Sequence, residues 1–459
     1  MATHPYIPNS EPSTKKEMLE RIGVRSSEQL FESIPDRIKL KLGLKLPAPK
    51  SEYDVRRHIE SLLSGNSTSA ELLTFVGAGC WPHYVPAVCD EINSRAEFLT
   101  AYAGDVYTDL GRYQALFEFQ SMIGELVAMD AVSFPWYDWG CVASDAIRMA
   151  LALTGRNKVV VPRNISPDRF SVLRTFCQDQ AEITKVENDS ASGQLSLEDL
   201  EDKVSAKTAA VYVENPTYLG VIESQVNEIA KIAHDAGALF IVGVEPLSLG
   251  LVTPPGEYGA DIVCGQGQPL GLHMYYGGAT LGFLACRDDE RLVSLVPHRL
   301  ISITTTERRN EWAFTYVLPE RTMFAARERA KSLTGTATAL WAITAAVYMS
   351  LLGPQGFRDI ALTIMERSHY AMKVLSRVKG LEVPAFNGVH FEEFTVNFDA
   401  AGKSVSEINH GLLEAGITGG KDLSKEFPEL GQTALLCVTE IHTKADIDRL
   451  AASLEEIIG

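Results

Sequence analysis

Asp261-Ile-Val-Cys-Gly-Gln-Gly-Gln268 is an apolar run that closes on polar residues, and it decides how the rest of the chain is read. A glycine-rich turn with Gly277-Gly278 follows, then a second strand-like run, Thr280-Leu-Gly-Phe-Leu-Ala285. Between Lys231 and Lys331 lie 99 residues without a lysine. Upstream, strand-like and helix-like segments alternate. Lys158-Val-Val-Val-Pro162 has no polar alternation, as in a sheet covered on both faces. Ile183-Thr-Lys-Val186, Ala209-Ala-Val-Tyr-Val213 and Leu239-Phe-Ile-Val-Gly-Val244 read as further strands, the last ending on Glu245. Between them, helices are expected over Gln114–Met129, Cys141–Thr154, from Ser166-Pro167 onward, from Ser196 to Val204, and over Val226–Ala236. Ser166 and Ser196 are candidate caps, and Gly155 and Gly237 are stops. The rhythm predicts a mostly parallel, doubly wound α/β sheet, whose sites lie beyond the carboxyl ends of its strands.

Outward from this core the pattern changes. Residues 1–70 read as an arm of short helices, opened by Ser13-Thr-Lys-Lys-Glu17, capped again at Ser27, and restarted near Ser51. Such an arm is suited to wrapping a neighbouring subunit or the large domain, because its apolar residues recur at helical spacing. The large domain is expected over 71–330. Ser332 to Phe357 holds no charge and reads as a buried helix over 331–354, interrupted by Gly353-Pro354, rather than as a membrane span. A small α+β domain over 355–459 would contain strands at Leu381–Val383, His390–Phe398 and Thr433–Val438, with helices over Ser404–Ala415 and Lys444–Ile458.

The charge balance, 42 Lys and Arg against 59 Asp and Glu, argues against a nucleic-acid surface and for a cytoplasmic protein. Seven dispersed cysteines without a CxxC pair read as reduced thiols, with Cys264 and Cys286 buried and inert. The N-terminal residues lack a basic region and an apolar core, so no signal peptide is expected. No HExxH, paired Cys/His spacing or Walker loop is present, so no metal site is expected.

In enzymes that use pyridoxal phosphate, a strand like Asp261–Gln268 ends at the lysine that holds the cofactor; here Gln268 stands at about that place. Other strings extend the likeness. They include His4-Pro-Tyr-Ile-Pro-Asn9, Phe75-Val-Gly-Ala-Gly79 with His83-Tyr-Val-Pro86, and Gln114-Ala-Leu-Phe-Glu-Phe-Gln120. Glu245-Pro-Leu-Ser-Leu-Gly250, Ile417-Thr-Gly-Gly420 and Cys437-Val-Thr-Glu440 continue it to the C-terminal region. Together they resemble the glycine decarboxylase P-protein family, specifically subunit 1, the alpha chain of enzymes split in two. The resemblance implies a fold-type-I (aspartate aminotransferase-like) large domain with a seven-stranded sheet and a small C-terminal α+β domain. It also implies that pyridoxal phosphate is bound covalently by a lysine-bearing subunit 2 and that a lipoyl carrier protein (H-protein-like) is a further partner, in an αβ or α2β2 assembly. Departures from the family pattern fall at 103–113, 137–141 and 329–336. They leave open a related complex acting on another amino acid or amine, or an inert scaffold for the partner.

Candidate site residues follow from position and chemistry. Tyr102, in a well-matched segment, is expected to face the shared site, with core packing as the other reading. Arg112 could clamp a carboxylate, although a surface arginine is the commoner outcome; Gln114 follows it. His83 could move a proton or serve as a hydrogen-bonded structural residue. Glu245 occupies the strand end where an acid would face the pyridine nitrogen, and without the lysine it reads as a structural carboxylate. Gln268 and His273 would line the same degenerate cofactor site, or His273 would pack in the turn. Gly140 and Ser144 lie where a helix N-terminus would cradle the cofactor phosphate, and an ordinary cap is the simpler reading.

Overall fold

A computed structural model describes residues 6–8, 10–40, 45–99, 111–308, 310–330, 332 and 337–459. The chain falls into two compact units, 1–67 and 68–459.

The first unit holds helix α1 (Pro12–Ile22), a short 3-10 turn over Ser27–Phe31, and helix α2 (Glu52–Leu63). Glu11 caps α1, its carboxylate accepting from the Thr14 N–H at 2.9 Å. Ser27 is the first residue of the 3-10 turn rather than its cap, because the extended residue before it is Ser26. Ser51 caps α2 through the Asp54 N–H. None of the described residues of this unit is buried.

The second unit is built on strands β1 (Leu73–Thr74), β2 (Ala131–Val132), β3 (Lys158–Pro162), β4 (Glu182–Val186), β5 (Thr208–Asn215), β6 (Leu239–Val244), β7 (Ile262–Gln266) and β8 (Gly282–Cys286). The central sheet has seven strands in the order β2-β8-β7-β6-β5-β3-β4. Neighbours from β4 through β7 are parallel, and β8 and β2 add an antiparallel edge. The order reverses between β3 and β5, the place where ligands settle in open α/β sheets. Every residue of β5, β7 and β8 is buried, which is why these strands carry no polar alternation. Helices α3 (Ala87–Ser94), α4 (Tyr113–Val127), α5 (Trp139–Thr154), α6 (Pro167–Phe176), α7 (Leu197–Lys203) and α8 (Val226–Asp235) precede or link them. Ser166 and Ser196 cap α6 and α7.

After the short helix α9 (Glu290–Val293), strands β9 (Ile301–Thr305) and β10 (Trp312–Tyr316) form an antiparallel pair. The uncharged segment becomes helix α10, which begins at Ala339 and continues past Gly353-Pro354 to Leu375. Gly353 (φ 60°) interrupts it with a backbone that an L side chain rarely adopts, and proline removes a helix donor there. No helix among the described residues is long and apolar enough to cross a membrane.

In the last part β14 (Thr433–Cys437) lies between β11 (Glu393–Asn397) and β13 (Lys421–Asp422), antiparallel to both, while β12 (Ile417–Thr418) lies parallel to β1. Helices α11 (Val405–Glu414) and α12 (Lys444–Ile458) pack beside them, each opened by a reciprocal capping box. Leu381–Val383, expected as a strand, makes only an isolated bridge between Glu382 and Asn397, because Pro384 directly follows and cannot donate to a ladder.

Candidate functional site

Gln268 lies two residues beyond the end of β7 with its side chain sealed from solvent. Its Oε1 accepts from the Trp81 N–H at 3.0 Å, and its Nε2 donates to the Trp81 carbonyl at 3.0 Å and the Leu272 carbonyl at 3.1 Å. The amide thus ties the turn after β7 to the Gly77–Trp81 loop, using acceptor and donor together. An ammonium carries donors only and would leave the Trp81 N–H without its acceptor.

Beside it the sheet surface is filled by the chain itself. The Trp139 side chain, at the start of α5, lies against β6, where a Cβ on Gly243 would sit 2.7 Å from the indole Nε1. That Nε1 donates to the Tyr212 hydroxyl at 3.1 Å, and Tyr212 donates to Glu214 at 3.0 Å. Arg169, from α6, makes two parallel hydrogen bonds to Glu214, both 2.7 Å, with its guanidinium 4.1 Å over the Trp139 ring. This pair spans the switch point between β3 and β5. Burial works against the Arg169 charge, but the Glu214 carboxylate more than offsets it and holds the pKa above the ordinary arginine value.

A second buried group adjoins the first. His83 Nδ1 is 2.9 Å from Glu440, and its Nε2 is 3.6 Å from Glu392. Burial would depress the His83 pKa, yet the Glu440 carboxylate holds it above the usual value; Glu440 in turn stays below its own despite its burial. Glu392 is 3% exposed, and burial, with the neighbouring carboxylates Glu245, Glu393 and Glu440, drives its pKa well up. Glu393 is pushed to about 7 by burial, although the Ala78 N–H donates to it. Glu245 is likewise raised to about 7 by burial; its two oxygens accept from the Leu247 N–H at 2.9 Å and the Ser248 N–H at 2.7 Å.

These side chains leave an enclosed cavity of about 20 Å³ walled by Trp81, Trp139, Arg169, Tyr218, Glu245 and Glu392. That is room for about one water molecule, against roughly 300–1,000 Å³ for a cofactor or ligand pocket. A wider cavity of about 470 Å³ opens between the Gly77–Cys80 loop, the start of α5, Tyr276 and Lys421. The α5 N-terminus carries its own anion, since Asp138 caps it through the Cys141 N–H at 2.8 Å. Ser144 donates to the Gly140 carbonyl at 2.7 Å. A phosphate at this helix end would meet a carboxylate already in place. The residues present therefore do not fit pyridoxal phosphate. A larger cavity of about 700 Å³, lined by α4, β2 and β9, lies away from this chemistry.

Of the residues expected at the site, the fold brings Gln268, His83 and Glu245 together around Trp81. His273 is placed elsewhere: it is exposed and faces Asp90 of α3 at 2.9 Å. Gln114 lies exposed on α4, donating to Glu118 at 3.0 Å. Arg112, expected at the surface, is 3% exposed, because the first turn of α4 beside it is itself packed into the core through Tyr113 and Leu116. Tyr102 lies outside the described residues. Sequence reasoning passed over Arg169, Glu214, Trp139, Glu392 and Glu393. The last two carried a signal: adjacent acids in Phe391-Glu-Glu-Phe-Thr-Val396 cannot both face water in a strand of period two.

The sheet order and the position of this pocket define the fold of the fold-type-I pyridoxal-phosphate enzymes. Among solved structures with this fold, the sphingosine-1-phosphate lyase of Burkholderia pseudomallei superposes with a TM-score of 0.62 at 16% identity, over 93% of this chain and 94% of that one. The chain belongs to the glycine cleavage system P-protein family, whose profile matches residues 4–454. A relative from Staphylothermus marinus, described as a probable glycine dehydrogenase (decarboxylating) subunit 1, is 43% identical over 100% of this chain and 99% of its own. The crystal structure of a glycine decarboxylase (P-protein) of the glycine cleavage system, in inhibitor-bound form, matches with a TM-score of 0.85 and 33% identity over the whole of both chains.

Proposed function

We propose that this chain is the lysine-free subunit of a glycine decarboxylase that releases CO2 from glycine and passes the aminomethyl group to a lipoyl carrier protein. The observation that carries this reading is the full-length match to a subunit 1 relative, at 43% identity from end to end. The pocket geometry accords with it. With Gln268 locked to Trp81 and the Arg169–Glu214 pair on Trp139, this chain offers no reacting amine at the end of β7, and the cavity of about 470 Å³ beside it has the Asp138 carboxylate at the α5 N-terminus. In this reading the cofactor is held covalently by a lysine-bearing subunit 2, in an αβ or α2β2 complex in the cytoplasm. The arm, the large domain and the small domain then serve assembly and closure of the partner's site rather than bond-making. His83, Glu245 and Gln268 hold that surface in shape, and Tyr102 and Arg112 are the side chains to test for a part in substrate binding.

The test is exchange of labelled bicarbonate into the glycine carboxyl. Exchange is expected when this chain, subunit 2 and the lipoyl carrier are combined, and not with this chain and the carrier alone. A reconstituted complex that turns over another amine but exchanges no glycine would sink the proposal.

A further inference from the structure

Glu392 is buried at a seam inside the 68–459 unit, and no side chain or backbone group satisfies it. It directly precedes β11 of the small sheet. Neither of its carboxyl oxygens has a hydrogen-bond partner among the described residues, and neither does His83 Nε2, 3.6 Å away. A buried carboxyl in this position calls for a bound solvent molecule or ion. The chamber that Glu392 lines, of about 20 Å³, has room for one water molecule and not for a larger ligand.

Charge at the same place is unbalanced. Glu393 of β11, Glu440 beyond β14 and Glu245 at the end of β6 all act on Glu392. His83, from the loop before α3, is the cation set against them, and its Nδ1 is engaged with Glu440. Arg169 of α6 lines the chamber, but its guanidinium is committed to Glu214 of β5. Cys437 of β14, Tyr218 and Tyr348 of α10 are the other titratable neighbours, and they add no positive charge. Four carboxyls facing one imidazole in a space closed to bulk water are not all ionised together, so the closed form keeps protons that the same groups release once hydrated. Burial accordingly raises Glu245 and Glu393 to about 7.

The cluster is drawn from both sides of the seam. Glu392, Glu393 and Glu440 belong to the small sheet, whereas Glu245 and His83 belong to the central sheet and its loops. Backbone hydrogen bonds cross the seam beside them. The Tyr84 N–H donates to Glu440 at 2.7 Å, and the Ala78 N–H donates to Glu393. The Ile222 N–H donates to the Val389 carbonyl at 2.7 Å and the Phe391 N–H to the Gly220 carbonyl at 3.3 Å. Parting the seam would break these bonds and hydrate the carboxyls at the same time.

We infer that this chamber binds one water molecule on Glu392 and that, with the protons shared by the cluster, it forms a pH-sensitive latch holding the small sheet against the ends of the central strands. The closed seam holds protons that the opened seam releases. Closure is therefore strongest at low pH and weakens as pH rises from the ordinary carboxyl value of 4.5 toward about 7. His83, whose pKa is also raised in the closed form, acts in the same direction. Glu440, held below its ordinary value beside His83, acts in the opposite direction and only below 4.5. The latch is a property of this chain and does not rest on the proposed function.

Hydrogen exchange of the full-length chain, read at Ala78, Tyr84, Ile222 and Phe391 and corrected for the intrinsic pH dependence of amide exchange, measures opening of the seam. Each proton held only by the closed form lowers protection about tenfold per pH unit. Protection at these amides is expected to fall in the wild type between about pH 5 and about pH 7, and to fall about tenfold less per unit in Glu392→Gln, which does not ionise. The seam amides are also expected to exchange at least about tenfold faster than those of Val213 and Val242 in β5 and β6. Equal rates in the wild type, meaning that the seam opens only when the chain unfolds, overturn the latch whether or not the variant folds. An unchanged pH slope in Glu392→Gln overturns it as well. A crystal structure of the wild-type chain grown at about pH 5, at a resolution that orders buried waters, is expected to show one water hydrogen-bonded to Glu392; a dry chamber overturns the binding site.

Discussion

The strand-end pocket and the N-terminal arm answer the same physical demand in opposite ways. At the pocket, the buried pairs come from the same chain, Arg169 with Glu214, His83 with Glu440 and Gln268 with the Trp81 backbone, while both Glu392 oxygens are left without a hydrogen bond. Along the arm, none of the described residues is buried, and α2 leaves a full stripe of apolar side chains in water. The pocket is closed to a ligand because the chain has filled it.

The sharpest attack on this contrast is to break the pocket's self-sufficiency. Arg169→Ala leaves Glu214 buried without its cation, and the free energy of unfolding measured in urea is expected to drop by about 3–5 kcal/mol. Removing Glu214 as well should cost clearly less than the sum of the two single changes, because no charge is then stranded. Equal and additive losses would mean that the pair is not the unit described.

A pH titration of stability probes the neighbouring carboxyls. Glu393 has its pKa raised by burial from an ordinary 4.5 to about 7, in an environment shared with the Ala78 N–H, Arg169 and Glu214. Between those values the native state holds the proton that the unfolded state has released. Stability should therefore decline as pH rises from 4.5 to 7 and level off above, by on the order of 3 kcal/mol from this group. Glu393→Gln should flatten that decline in thermal melts. An unchanged slope would remove Glu393 from the account.

Gln268→Lys tests whether the missing lysine alone separates this pocket from a working one. It removes the acceptor for the Trp81 N–H, at a cost of about 1–3 kcal/mol. No visible absorbance from lysine-bound pyridoxal phosphate is expected after incubation with the cofactor, because Trp139 and Arg169 still fill the space. Cofactor uptake by this variant would overturn the misfit. The smallest effect belongs to the arm: Ile59→Asp should change the stability of the chain on its own by no more than about 0.5 kcal/mol. A larger loss would show that the stripe is covered within the chain.

Much of the fold could be read from local pattern. β6 and α12 have the limits expected, since Gly237 fixes the turn into the strand and the Thr443–Asp446 capping box fixes the start of the helix. Where a proline cut short the pairing, as after Val383, apolar alternation overstated a strand. The helix expected to end at Gly353-Pro354 does break there, where Gly353 (φ 60°) leaves the helical region, and a second helical stretch beginning at Pro354 runs on to Leu375. The site was less legible. Gln268, His83 and Glu245 stood out because each sits where a strand or glycine-rich loop ends. Arg169 looked like an ordinary helix residue, and nothing near it in sequence announces Glu214, 45 positions away. Arg112 read as a surface residue because its burial depends on how α4 enters the core.

The sequence by itself determined the alternation of strands and helices, the family, and the absence of a lysine between 231 and 331, because these depend on residue type and local spacing. It also determined that the arm is cationic and the remainder acidic. Only the tertiary structure decided what fills the ends of the central strands. Trp81 and Gln268 are 187 residues apart and His83 and Glu440 are 357 apart, and a chain brings such partners together only when sheet order and domain packing are in place. Once they meet in a space from which water is largely excluded, a buried charge or amide is stabilised by a complement there, as Arg169 is by Glu214 and Gln268 by the Trp81 backbone.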